Sequence, residues 1–392
     1  MTPLSHKKTV AVIVGTRPEA IKLAPLIRSL QASRSLQPLT ISTSQHASMT
    51  AQIFSNFGIT PDLDLGVMRP RQSLWDLTAA LSTSLGQLFS GNRIDAVVVQ
   101  GDTTSAFVGA LSAFYHQIPV GHVEAGLRSH DRYSPFPEEM NRVMLSRLAN
   151  WHFAPTDFSA SLLRVENIPH ESIFVCGNTV VDALEWMIDH SNPSELPAGV
   201  PDNSRLILVT CHRRENIGAP MRSVALAVKH LSQMHPEIHF LFPLHPNPSV
   251  RENVTPVLAE QPGISLCEPL DHDQFLSALQ HSFFVLSDSG GVQEEATALG
   301  KPVLVLRRET ERPEGVAAGT LRLIGTDVQD IIQETENLLS NSAAYESMTN
   351  GSRVFGDGHA AEHITRILEE KLAPLQPDYA LPVASTAFHF MH

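Results

Sequence analysis

A set of short polar stretches, each following an apolar run, holds most of the residues in this sequence that can do chemistry. Gln100-Gly101-Asp102-Thr103-Thr104-Ser105 places Asp102 shortly after the apolar residues 96–99, at the mouth of that run. An Asp there either caps the following helix, a role it fills well, or faces a ligand. His122-Val123-Glu124-Ala125-Gly126-Leu127-Arg128 sets Glu124 between Val and Ala-Gly, where solvation explains it poorly; the duller alternative is a buried ion pair with Arg128. Pro135-Phe136-Pro137-Glu138-Glu139-Met140-Asn141-Arg142 opens a helix with two carboxylates, which the helix dipole alone would favour. Taken together, Asp102, Glu124 and Glu138 are three carboxylates on neighbouring loops. Carboxylates crowded into a cleft gain proton affinity and can work as general acid and base.

A second group of stretches suits an anion. In Gly15-Thr16-Arg17-Pro18-Glu19-Ala20-Ile21-Lys22, Pro18 fits the first turn of a helix, and Arg17 and Lys22 can present charge to a phosphate there. Ser287-Asp288-Ser289-Gly290-Gly291-Val292-Gln293-Glu294-Glu295 puts two glycines between a strand and a helix, leaving backbone N–H groups bare for an oxyanion. Glu295, almost one turn in, can accept hydrogen bonds from ribose hydroxyls. Cys211-His212-Arg213-Arg214-Glu215-Asn216 sets His212 beside two arginines, and Arg312 in Thr310-Glu311-Arg312-Pro313-Glu314-Gly315 offers a further guanidinium. His245, after another strand, is equally well read as a satisfied loop histidine. The first glycine loop lacks the G-x-G-x-x-G spacing of dinucleotide sites, so a nicotinamide cofactor is disfavoured.

The elements that must carry these loops form a repeating pattern. Near-continuous apolar runs at 9–14, 94–99, 119–123, 206–210, 238–244, 283–286 and 302–306 alternate with helix-period segments at 20–31, 104–116, 137–147, 221–234, 292–299 and 361–372. That alternation predicts an α/β protein of βαβ units with parallel strands. The chemistry-bearing loops then fall at the carboxyl ends of the strands, where open α/β sheets bind ligands.

With 392 residues, two domains are expected. The formal net charge of −13 argues against nucleic-acid or anionic-membrane partners. Such a chain can still bind an anionic nucleotide if it concentrates Arg, Lys and helix N-termini locally. Cys176, Cys211 and Cys267 match neither a disulfide framework nor a zinc pattern, which points to a reducing compartment and no metal. The apolar run 10–14 is too short for a signal peptide, and nothing approaches the roughly 18–20 apolar residues of a membrane span. A soluble, cytoplasmic protein is expected. Composition alone would divide the chain at the Pro-rich stretch 191–203, and the residues after 374 read as a loose terminus.

In this order, the motifs Gly-Thr-Arg-Pro-Glu-Ala-Ile-Lys, Gly-Asp-Thr-Thr, His-Val-Glu-Ala-Gly-Leu-Arg, Pro-Glu-Glu-Met-Asn-Arg, His-Arg-Arg-Glu-Asn, Asp-Ser-Gly-Gly-Val-Gln-Glu-Glu and Glu-Arg-Pro-Glu-Gly closely resemble those of the non-hydrolysing UDP-N-acetylglucosamine 2-epimerases. The resemblance runs from about residue 9 to about residue 372. It implies a glycosyltransferase B-type arrangement of two Rossmann-like domains with the active site in the cleft between them. It places the boundary near Gly177 rather than at the Pro-rich stretch, giving 1–177 and a UDP-binding 178–361. A C-terminal helix at about 362–375 completes the first domain, and 376–392 forms a flexible tail. The implied reaction inverts C2 of the sugar with no redox cofactor: UDP is eliminated to a 2-acetamidoglucal intermediate and re-added.

The positions matching the family's catalytic set are Asp102, Glu124, Glu138 and His212, with His212 expected at the leaving pyrophosphate. Those matching its UDP contacts are Arg17, Lys22, Phe275, Ser289, Gly290, Gly291, Glu295 and Arg312; Phe275 also reads as a plain core aromatic. Gln45, His46, Arg71, Arg213 and His245 resemble an allosteric substrate site. This sequence departs from the family nearby, with Ser48 in place of the Gln or Glu of many members, Cys211 for the usual Gly, and Pro246 where Leu is frequent. A homodimer is the family expectation. A hydrolysing epimerase, an epimerase of a UDP-diacetamido uronic acid, and a B-type glycosyltransferase stay open as alternatives.

Overall fold

The computed structural model describes residues 7–373 except 44–46, 70–71, 191–195, 197–198, 202–203 and 352. The expected tail 376–392 and most of the Pro-rich stretch 191–203 therefore lie outside the described residues. The chain forms two parallel sheets. The first contains β1 (Lys8–Val14), β2 (Leu36–Ser42), β3 (Leu63–Asp64), β4 (Ala96–Gln100), β5 (Val120–Val123), β6 (Trp151–Ala154) and β7 (Ile173–Val175) in the order 3-2-1-4-5-6-7. The second contains β8 (Arg205–Thr210), β9 (Ile238–Pro243), β10 (Ile264–Cys267), β11 (Ser282–Ser287), β12 (Val303–Val305) and β13 (Leu321–Leu323) in the order 10-9-8-11-12-13. Every strand pairing between named strands is parallel, so the two sheets repeat one doubly wound plan. This is the parallel α/β architecture that the alternation of runs predicts, in the two Rossmann-like halves that the resemblance implies.

The central strands owe their position to composition. Val10 to Val14 and Ala96 to Val99 are wholly buried, as β-branched runs covered by helices on both faces must be. All four edge strands, β3, β7, β10 and β13, escape the sequence reading, as do β2 and β6 beside two of them. Edges are covered less completely: β3 is exposed, β10 is half-buried throughout, and neither carries a continuous apolar run. The helices that matter for the loops begin close to where periodicity puts them, at Arg17–Ala32, Thr104–Tyr115, Glu138–Leu148, Ala219–Met234, Gly290–Ala298 and Ala360–Leu372.

Two connections pass between the sheets, and they touch. Gly177 and Gly356 both take positive φ, +90° and +134°, and a Cβ on Gly177 would lie 3.3 Å from the Gly356 Cα. Only glycine lets the two backbones approach so closely. The Asn178 N–H donates to the Phe355 carbonyl at 2.7 Å beside this crossing. The helix Thr179–His190 then packs with Arg17–Ala32 and Ala360–Leu372, so that Val180, Leu184, Ile27, Leu30, Ile364 and Leu368 share one core. It also meets the helix Gly290–Ala298 of the second half. Asp182 caps the returning helix by accepting from the backbone N–H of Ala361 at 2.7 Å and of Ala360 at 3.3 Å.

Among the described residues, no helix is long and apolar enough to cross a membrane. Because the Asp182 carboxylate satisfies two buried donors at a helix start, Asp182→Ala is expected to cost about 1–2 kcal/mol. Urea denaturation would show this as a lower midpoint; an unchanged midpoint would show the cap to be idle.

Candidate active site

The loops leaving β1, β4 and β5 on one side, and β8, β9, β11 and β12 on the other, line one cleft of about 870 Å³. This is the carboxyl-end, switch-point position that doubly wound sheets use for ligands. Asp102, Glu124, Glu138 and His212 all line it. So do Arg17, Lys22, Phe275, Ser289, Gly290, Gly291, Glu295 and Arg312. Of the expected second-site residues, Arg213 and His245 line this same cleft. Gln45, His46 and Arg71 lie outside the described residues. Phe275 lines the cleft and also packs against the second sheet's core.

The choices left open for the carboxylates resolve locally. The helix Thr104–Tyr115 is capped by Thr103, whose hydroxyl accepts from the Ala106 N–H, so Asp102 is not the cap. Its side chain instead receives Arg142 Nη2 at 2.6 Å, while its carbonyl accepts from Asn141 at 2.9 Å. Glu124 does not pair with Arg128, which pairs with Glu166 at 2.7 Å. Glu124 leaves β5 with φ +64°, an unusual left-handed conformation for a residue with a side chain. Strain of this kind persists where surrounding contacts fix it and is a mark of functional sites. The contacts here are Lys22 Nζ at 2.6 Å and a short hydrogen bond from the Gln100 amide. At the start of Glu138–Leu148 the two carboxylates differ. Glu139 is buried and accepts from the Ser129 and His130 N–H groups at 3.0 Å each, whereas Glu138 lines the cleft.

Across the cleft, the neighbour of Glu295 proves as important as Glu295 itself. Glu294 is 1% exposed and receives Lys22 Nζ at 3.1 Å, Arg312 Nη2 at 2.8 Å and Arg312 Nε at 2.9 Å. Arg312 also donates to Glu311 at 2.8 Å and lies 3.8 Å from Glu124. Arg142 reaches toward Glu311 at 4.0 Å. Lys22 and Arg312, expected at UDP, are thus engaged by carboxylates of both halves. The guanidinium fits because Gly290 has no side chain: a Cβ there would meet Arg312 Nη1 at 2.7 Å.

His212 sits at the other end. Asp288, fully buried after β11, accepts from the His212 N–H at 2.9 Å, the Arg213 N–H at 2.9 Å and the Asn216 amide at 2.9 Å. This holds the loop after β8 in place, and the His212 ring stacks on His245 with centroids 5.3 Å apart. Arg17 meets the His272 Nδ1 at 3.3 Å.

Burial sets the proton affinities. Desolvation raises Glu138, and the nearby charge of Asp102 adds to it. Desolvation also raises Glu124 against the pull of Lys22. For Glu294 burial acts in the same sense, but Arg312 and Lys22 outweigh it and hold the carboxylate ionised. Glu19, buried beneath the loop after β1, is pushed up to about 7 by desolvation although Thr16, Gly15 and Thr103 all donate to it. His122 is held neutral, down at about 3, by burial, and its Nε2 lies 2.7 Å from the Gly101 carbonyl beside Asp102. Among the described residues, no cluster of three or more His, Cys, Asp or Glu side chains is arranged to hold a metal.

The residues that sequence reasoning passed over are Glu294, Glu311, Arg142, Asp288, Gln100 and Glu19. Each stands within one to four positions of a residue that was singled out. The available signal was the density of charge in those stretches, which a helix start or a loop could equally have explained.

A family model described as UDP-N-acetylglucosamine 2-epimerase matches residues 28–369. The UDP-N-acetylglucosamine 2-epimerase of Bacillus subtilis is 45% identical over 368 residues, covering 93% of this chain and 95% of that protein. That of Neisseria meningitidis serogroup A is 43% identical over 366 residues, covering 92% and 98%. The crystal structure of UDP-GlcNAc 2-epimerase from Neisseria meningitidis bound to UDP-GlcNAc superposes with a TM-score of 0.88 at 42% identity, over 92% of this chain and 100% of that one. The S. aureus MnaA–UDP co-structure gives 0.86 at 44% identity, over 93% and 97%.

Glu295 gives a pH signature. Burial pushes its carboxyl from the ordinary 4.5 up to about 7, with Arg17 opposing. The folded state therefore keeps a proton that the unfolded chain has lost, and this group's contribution to stability declines as pH rises between those values. Glu295→Gln carries no such proton. The melting temperature of the variant relative to the unaltered protein is expected to rise from about pH 5 to about pH 7.5; a constant difference would contradict the assignment.

Proposed function

We propose that this chain, which belongs to the UDP-N-acetylglucosamine 2-epimerase family, interconverts UDP-N-acetylglucosamine and UDP-N-acetylmannosamine without releasing free sugar. The observation that carries this reading is the meeting of Asp102, Glu124 and Glu138 with His212 and the Ser289–Gly291 loop in one cleft. Inversion at a carbon bearing a non-acidic proton needs a base on one face, an acid on the other, and a way to make that proton leave. Elimination supplies the last requirement. A carboxylate takes the C2 proton, the C2–H electron pair forms the C1–C2 double bond, and the C1–O bond breaks with its pair departing on UDP. The 2-acetamidoglucal then turns or is approached from its other face, UDP adds back at C1, and a proton is returned to C2.

The departing pyrophosphate carries the developing charge. Its stabilisation falls to the bare N–H groups at the start of Gly290–Ala298, to Arg17, and to His212, which Asp288 positions through the loop backbone. Glu138, whose proton affinity burial raises, is suited to the part of general acid. Glu295 faces the ribose and Phe275 the uracil. Arg213 and His245, which line this cleft, belong to a second, activating substrate site together with Gln45, His46 and Arg71. The division 1–177 and 178–361, with 362–375 returning to the first unit, belongs to the same reading; the crossing of Gly177 and Gly356 supports it.

Incubated with UDP-N-acetylglucosamine in deuterated water and followed by proton NMR, the protein is expected to give UDP-N-acetylmannosamine bearing deuterium at C2. Free N-acetylmannosamine and UDP would instead establish a hydrolysing enzyme. Absence of exchange at C2 would overturn both readings. Asp102→Asn and Glu138→Gln are each expected to lower kcat by about 10²- to 10⁴-fold; normal turnover in either variant removes that residue from the mechanism.

A further inference from the structure

The buried carboxylate of Glu294 has no part in the chemistry proposed above, yet it touches both cations that face Glu124. It lies on the helix Gly290–Ala298 of the second half, and its oxygens receive Arg312 at 2.8 and 2.9 Å and Lys22 at 3.1 Å. Lys22 lies on Arg17–Ala32 of the first half and holds Glu124 at 2.6 Å. We propose that Glu294 is a positioning residue, which fixes Lys22 and Arg312 against Glu124 from across the gap between the two sheets and so sets the charge that Glu124 experiences during proton transfer.

The charge count carries the argument. The groups facing Glu124 are Lys22 from the helix Arg17–Ala32, Arg312 before Pro313–Ala317, Glu294 from Gly290–Ala298 and the Gln100 amide from β4. Glu311 engages Arg312 at 2.8 Å, but among the described residues Lys22 has no such further partner, and without Glu294 the two cations would hold Glu124 more strongly ionised and make it a weaker base. A second carboxylate on the same two cations restores the balance. It also keeps Lys22 and Arg312 from turning toward a bound pyrophosphate, which would leave Glu124 unpaired in a dry site. The contact spans the halves, so it forms only when they stand as they do here.

This assignment rests on the proposed epimerase reaction, and its test separates the two. Glu294→Gln keeps the shape and removes the charge. In the epimerisation assay kcat is expected to fall by about ten- to a hundredfold with little change in KM. The acid limb of the kcat/KM profile moves to lower pH, because with Glu294 neutral only Glu311, on Arg312, still offsets the cations acting on Glu124. Gln100→Leu removes a donor to Glu124 instead and is expected to move that limb to higher pH. Opposite shifts would not arise from two variants that merely loosen the fold. Independently of catalysis, acylation of the Lys22 amine by acetic anhydride, read by mass spectrometry against exposed Lys371, is expected to run about tenfold faster in Glu294→Gln. Unchanged Lys22 labelling, or a fall in kcat with no movement of the acid limb, overturns the assignment. If the unaltered protein fails to exchange C2 at all, the epimerase reading falls, and the Lys22 labelling still decides the place of Glu294.

Discussion

Lys22 lies between two buried carboxylates that belong to different sheets, and the cleft is organised around that contact. Removing a charge from water costs several kcal/mol even after relaxation, and only good geometry with every partner satisfied repays it. Here Lys22, Arg312 and Arg142 are set against Glu124, Glu294, Glu311 and Asp102. The buried members, Glu124 and Glu294 above all, cannot be withdrawn cheaply, since breaking a buried pair typically costs about 3–5 kcal/mol. The relative placement of the two sheets is therefore tied to the electrostatics of the site. Contacts further out agree with the same placement: Thr156 donates to Glu314 at 2.8 Å and Asn56 to Asp273 at 3.2 Å, each from the first half to the second.

Much of this fold is legible in the sequence because buried parallel strands leave a strong mark. The runs at 9–14 and 94–99 are apolar at nearly every position, and a strand covered on both faces requires that. Where the cover is partial, the mark fades. β10 mixes Ile264 and Leu266 with Ser265 and Cys267 because its outer edge has no neighbour in the sheet, and β3 is two residues long. Loop chemistry was legible for a related reason: a carboxylate immediately after a buried strand is costly unless something uses it. Asp102 and Glu124 stand out on that ground alone.

Partners were not legible. Glu124 stands four residues from Arg128, and proximity suggested a pair, but the left-handed turn at Glu124 sends its side chain toward Lys22, 102 positions away. Arg128 finds Glu166, 38 positions on. Glu294 and Glu295 are adjacent and chemically identical, yet successive helical residues point about 100° apart. One faces the ion network and the other the cleft. Sequence spacing cannot say which face meets the opposite domain, because that depends on how two separately folded sheets come together.

The site also shows how a chain of net charge −13 can serve an anionic ligand. Its cleft has two ends with different electrostatic character. Around Lys22, cations and carboxylates meet within a few ångströms, and their charges outweigh burial at Glu294 and Lys22 while burial prevails at Glu124. Elsewhere in the cleft, positive influence comes from Arg17, which meets His272, and from the start of the helix Gly290–Ala298. Asp288 is the exception that fits: its oxygens point at backbone N–H groups and Asn216, so it orders the loop. Proton transfer and leaving-group stabilisation make opposite demands, since the first needs near-neutral surroundings and the second needs concentrated positive charge. In the proposed reaction, drawing the carboxylates from one sheet's loops and the glycine-rich helix start from the other's would let a single cleft meet both.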